Sequence, residues 1–160
     1  MNPETERVQC PICGGETDMP VDTLAALAAA PEAIANAMRD APAGAREGWS
    51  PAEVATHLAD TEVVTGWRVR QILAEREPEI QPYDQDKWAA ALRYDERDAN
   101  LSLEAFTAAR RANLEILRLL SDEDWERAYV QPEYGRQTLR AKIRHISDHD
   151  LAHLRQIQGG

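Results

Sequence analysis

Residues 49–60 read Trp49-Ser50-Pro51-Ala52-Glu53-Val54-Ala55-Thr56-His57-Leu58-Ala59-Asp60, a stretch that specifies a helix from its first residues. Ser50 stands at the cap, where a hydroxyl accepts from a free N–H of the first turn. Pro51 takes the first helical position, where its missing N–H costs nothing, and Glu53 is placed to reach back to the cap backbone. Downstream, Val54, His57, Thr61, Val64 and Arg68 fall on one stripe at spacings of three and four, which carries the helix to about Glu75. Pro78 and Pro82 then enclose a loop.

The same periodicity organises the chain on both sides. Upstream, Leu24, Leu27, Ile34 and Met38 mark an Ala-rich helix from Val21 that ends at Ala41-Pro42-Ala43-Gly44, with Pro31 expected to start a new turn or kink it. Downstream comes a short helix around Asp84 to Leu92. A long one from about Leu101 to Leu120 follows, marked by Leu103, Phe106, Ala109, Asn113, Ile116 and Leu120. Ser121-Asp122-Glu123-Asp124 opens a short turn, residues Tyr129 to Gln137 read as a loop, and a last helix runs from near Thr138 to a Gly159 cap. Four long helices without comparable strand alternation predict an all-α four-helix bundle, with a long crossover between the second and third. Residues 1–20 read as a polar tail and 21–160 as the bundle. The four tryptophans, Trp49, Trp67, Trp88 and Trp125, are expected to fill the core.

Charge excludes whole classes of partner. The chain has 160 residues, 28 acidic against 18 basic, and a formal net charge of −10. The basic residues form no stripe, so nucleic acid and anionic membrane surfaces are not expected partners. The longest run free of Asp, Glu, Lys and Arg is nine residues, Thr23 to Pro31, far short of the roughly 20 that a membrane span needs. Glu4 and Glu6 contradict a basic signal-peptide start, so a cytoplasmic protein acting on a small molecule is expected.

Four histidines remain to be explained: His57, His145, His149 and His153. On the last helix the apolar stripe is Leu139, Ile143, Ile146 and Ile157. His149 follows Ile146 by three and His153 precedes Ile157 by four, so both rings face the core. Residues four apart have Cβ atoms about 5–6 Å apart, close enough for both imidazoles to reach one ion. His57 also faces inward, but whether it meets the pair depends on helix packing. His145 and His149 form a rival pair at the same spacing, and His145 suits a supporting or substrate-pocket role better. Asp60 lies one turn beyond His57 and is a candidate to orient a ligand or act in catalysis. Asp148 and Asp150 read at least as well as a solvated helix face. The two cysteines, Cys10 and Cys13, have the spacing of half a zinc site or a redox dithiol. No second Cys pair completes the tetrahedron.

These stretches, together with His149-Asp150-Leu151-Ala152-His153-Leu154-Arg155-Gln156-Ile157 and the Pro132-Glu133-Tyr134-Gly135 loop before Thr138-Leu139, resemble the DinB-like or YfiT-like metalloenzymes. The resemblance spans about Val21 to Gln158 and leaves out the Cys-bearing tail. It implies a four-helix bundle, frequently a homodimer, in which His57, His149 and His153 together bind one divalent metal, zinc or nickel foremost. It also implies a thiol-dependent S-transferase using a low-molecular-weight thiol as co-substrate. A metal-dependent hydrolase and a non-catalytic metal-binding stress or interaction protein stand as alternatives, as does a second zinc at Cys10/Cys13. Three imidazoles on one ion leave positions for water or substrate, the open arrangement of a catalytic metal.

Overall fold

The computed structural model describes residues 4–12, 14–41 and 48–159. Cys13 lies outside them. The long helices are α1 (Thr23–Asp40), α2 (Pro51–Ala74), α4 (Ala99–Arg118) and α6 (Leu139–Gln158), with the short α3 (Gln85–Ala91), a 3-10 turn (Tyr94–Glu96) and α5 (Asp122–Trp125) between them. None of the described helices is long and apolar enough to cross a membrane.

Each long helix begins where its cap chemistry dictates. Ser50 accepts from the Glu53 N–H, and the Glu53 carboxylate accepts from the Ser50 N–H at 2.8 Å, closing the capping box read from sequence. The side chains of Asp22, Asp98 and Thr138 cap α1, α4 and α6 by accepting from first-turn N–H groups, without the reciprocal arm. Gly159, at φ +91°, ends α6 in the left-handed conformation that glycine adopts without penalty.

The four long helices close a ring in which α2 packs on α4, α4 on α1, α1 on α6 and α6 back on α2. Helices α1 and α2, consecutive in the chain, therefore lie mostly across the bundle from one another. Gly66 makes the α2–α4 approach close: a Cβ there would stand 2.6 Å from the Asn113 Oδ1.

The core divides into two apolar clusters. One gathers Leu27, Val69, Ile72, Leu114, Leu117, Leu139, Ile143 and Ile146, and the other Ile34, Val54, Leu58, Phe106, Leu151, Leu154 and Ile157. Along α2, α4 and α6 the residues between these clusters are polar yet buried: Thr61, Glu62 and Thr65, then Arg110 and Asn113, then Ser147 and Asp150. A polar layer thus crosses the middle of the bundle.

Pro31 neither restarts nor breaks α1, which runs through it. Lacking an N–H, it cannot bond the Leu27 carbonyl one turn back. The Arg110 Nη1 donates to that carbonyl instead, at 2.9 Å, so a residue of α4 completes the backbone of α1.

Two segments differ from the sequence reading. Within the polar tail, β1 (Thr5–Gln9) and β2 (Glu16–Pro20) pair antiparallel. This hairpin docks on α6: the Thr17 hydroxyl donates to Asp148 at 2.7 Å, Arg144 donates to Glu6 at 2.8 Å, and Met19 is fully buried. Likewise 129–137 is not a loop but the tip of a second hairpin, β3 (Ala128–Gln131) with β4 (Gly135–Thr138). Its Val130 N–H donates to the Pro78 carbonyl at 3.0 Å and its carbonyl accepts from Ile80 at 2.8 Å, which pins the crossover to the bundle. Strands of four or five residues are too short for alternation to stand out in the sequence. Trp67 is 65% exposed and does not join the core.

Candidate metal centre

His57 projects from α2, and His149 and His153 from successive turns of α6, and the bundle brings all three together. One ring nitrogen from each lies within 4.8 Å of the others. The Nε2 atoms of His57 and His149 are 3.0 Å apart, and the ring centroids are separated by 5.1, 4.9 and 4.5 Å. Two nitrogens each about 2.0–2.1 Å from one ion would stand about 3–3.4 Å apart, so the spacing suits a shared ion. The His153 Nδ1 is engaged by the Gln156 Oε1 at 2.8 Å, which leaves its Nε2 for the site.

Burial keeps two of the three rings, His57 and His153, neutral. Burial, reinforced by His149 and His153, lowers His57 to about 3. Burial and His149 lower His153 to about 4. Both rings are therefore neutral at ordinary pH, with lone pairs free for ligation. Trp49 lies against His57 at 4.9 Å between centroids and covers it.

Behind the rings stands the polar layer. The His149 Nδ1 faces the Asp150 Oδ1 at 3.7 Å, and neither atom has another partner among the described residues. The other Asp150 oxygen accepts from the Arg110 Nη1 at 2.7 Å. The Arg110 Nη2 donates to Glu62 at 2.8 Å, and Asn113 donates to the second Glu62 oxygen at 2.8 Å. Burial works to raise the Asp150 carboxyl, but Arg110 and His149 outweigh it and hold it below the usual carboxylate range. Asp150 is thus no solvated residue: it is 4% exposed. A carboxylate fixed from behind a ligating imidazole sets the ring's orientation.

The other candidates separate. Asp60 points elsewhere, accepting from the Tyr94 hydroxyl at 2.8 Å and pairing with Arg97 at 3.1 Å. His145 lies outside the trio, with its Nδ1 3.3 Å from the Cys10 Sγ. Thr61, read only as part of a stripe, sits 3.4 Å from the His57 Nε2 and 3.0 Å from the Tyr83 hydroxyl. A cavity of about 320 Å³ opens beside the trio, lined by His149, Thr61, Tyr83, Arg68, Lys142 and His145 among others. Arg110, Glu62 and Lys142 were missed by the sequence reading. The available signal was that Arg110 and Lys142 each stand within four residues of core positions on both sides.

The DinB superfamily profile matches residues 17–157. This chain belongs to that superfamily. A protein of Oceanobacillus iheyensis, provisionally named a metal-dependent hydrolase, is 32% identical over 110 residues, covering 69% of this chain and 63% of its own length. A Bacillus cereus protein with the same provisional name is 29% identical over the same shares. The match therefore spans somewhat under two thirds of these relatives. Among solved structures, YfiT from Bacillus subtilis superposes with a TM-score of 0.80 over 95% of both chains at 22% identity. It is described as a probable metal-dependent hydrolase with an unusual four-helix bundle topology. That likeness establishes the four-helix fold.

Proposed function

We propose that this protein is a metal-dependent hydrolase of small molecules, with His57, His149 and His153 as ligands of one divalent ion, zinc or nickel. The observation that carries the reading is the convergence of three imidazoles from two helices, His57 buried and His149 and His153 half-buried, beside a cavity of substrate size. The ligand set also fits on the chemistry of its donors: imidazole suits both metals, and the orphaned His149 Nδ1 stands 3.7 Å from the orphaned Asp150 Oδ1, the kind of carboxylate neighbour that ligating histidines carry. When bound, the ion supplies Lewis acidity and lowers the pKa of water.

The chain's own residues do the rest. Asp150, braced by Arg110, orients His149. Trp49 shields His57 on one side. Thr61 and Tyr83, whose hydroxyls are 3.0 Å apart, line the cavity beside His149, where they can hold a water or a substrate oxygen. The provisional names of the relatives favour hydrolysis over thiol transfer. The same ligand set would serve either chemistry.

Elemental analysis of untagged protein tests the reading. We expect about one ion per chain in wild type, lost in His149→Ala and in His153→Ala and retained in Cys10→Ala. An ion that survives both histidine changes and disappears with the cysteine would overturn it. Ester hydrolysis by the loaded protein, abolished by a chelator and restored by metal, would separate an enzyme from a merely braced bundle.

A further inference from the structure

The cavity beside the trio has an electrostatic character unlike the rest of the molecule. The protein carries a net charge of −10, yet the described residues lining this cavity include the cations Arg68 and Lys142, with His145 held below its usual pKa by burial, His149 and Lys142, and not one carboxylate. Lys142 is the unusual member. It is 6% exposed and stands on α6 between core residues Leu139, Ile143 and Ile146. Among the described residues it has no hydrogen bond and no ion pair. Its ammonium stands 5.8 Å from the centroid of the Tyr129 ring, which also lines the cavity. A buried ammonium without a counter-charge is costly unless something supplies one. Burial, with Arg68 acting in the same direction, pushes Lys142 down to about 7. Arg68 is half-buried and held in place by the Gln81 carbonyl and the Tyr83 ring, 5.6 Å from its guanidinium.

We propose that this cavity seats an anionic group of the substrate, a carboxylate, phosphate or sulfonate held by Lys142 with Arg68 and His145, and so directs the bond to be cleaved toward His149. The inference rests on the hydrolase reading for its metal end, since His149 belongs both to the trio and to the cavity wall. It names the substrate class: a small molecule with an oxyanion at one end and a hydrolysable bond at the other. An incoming oxyanion would supply the counter-charge that the fold withholds from Lys142. Charge-assisted hydrogen bonds made in a desolvated site are stronger than neutral ones.

Sulfate, a poor ligand for zinc, is the probe, titrated calorimetrically into the full-length zinc-loaded protein. Wild type should bind it, Lys142→Met should weaken binding roughly tenfold or more, and Arg68→Gln should weaken it less. His153→Ala, which removes a metal ligand that does not line the cavity, should retain it. Unchanged affinity in both Lys142→Met and Arg68→Gln would overturn the proposal, as would no binding by wild type. Binding lost in His153→Ala but kept in Lys142→Met would place the anion on the metal, overturning this inference while leaving the hydrolase reading intact. Lys142-dependent binding by a protein without a histidine-held ion would do the reverse.

Discussion

Arg110 and Lys142 are both buried cations, 2% and 6% exposed, and the bundle treats them in opposite ways. Arg110 meets Glu62, Asp150 and the Leu27 carbonyl, all within 2.9 Å. Its two carboxylates overcome burial and raise its pKa. Lys142 has no such partner among the described residues and is driven toward neutrality. A buried charge whose neighbours satisfy it is framework, and one whose neighbours do not is poised for something that arrives from outside. The contrast also sorts the two sides of His149: on one side stands the closed Asp150–Arg110–Glu62 network, and on the other the cavity that Lys142 lines.

The largest expected effect comes from breaking the satisfied side. Arg110→Met leaves Glu62 and Asp150 as uncompensated buried carboxylates and should cost about 3–5 kcal/mol in urea denaturation. A loss below about 1 kcal/mol would show that the network contributes little. Next comes the link from that network to the trio. Asp150→Asn keeps the shape but removes the charge that faces His149, and zinc affinity should fall about 10–100-fold in a chelator competition. Unchanged affinity would mean that Asp150 does not orient the ring.

The smallest effect should carry the opposite sign. Lys142→Met replaces an unpaired ammonium by an apolar chain of similar length, and stability at neutral pH should rise by roughly 1–2 kcal/mol. Between about 7 and the ordinary 10.5, the unfolded chain holds a lysine proton that the folded chain does not. Wild-type stability relative to Lys142→Met should therefore climb with pH across that window. Denaturation midpoints at its two ends measure it, and a flat difference would show that Lys142 keeps its proton.

Much of this was legible in the residues. The Ser50-Pro51-Glu53 cap and the stripes at spacings of three and four mark the helices. His149 and His153, four apart on a stripe with Ile146 and Ile157, announce a paired site. Arg110 and Asp150 were not legible as a pair, because each sits in a helix rich in charge and only helix packing shows which charged face turns inward. Lys142 could have been noticed beside Ile143 on a core stripe, but a lysine at such a position usually bends its ammonium back to water.

By itself, the sequence determined where helices start, which faces are apolar, and that two imidazoles of α6 share one face, since these follow from local cap chemistry and the 3.6-residue repeat. Only the tertiary structure decided that His57 meets them, that Arg110 mends the carbonyl freed by Pro31, and that Lys142 borders a cavity with no carboxylate among its described lining residues. Those facts depend on distances between segments far apart in the chain, and helix–helix packing sets such distances where local periodicity cannot.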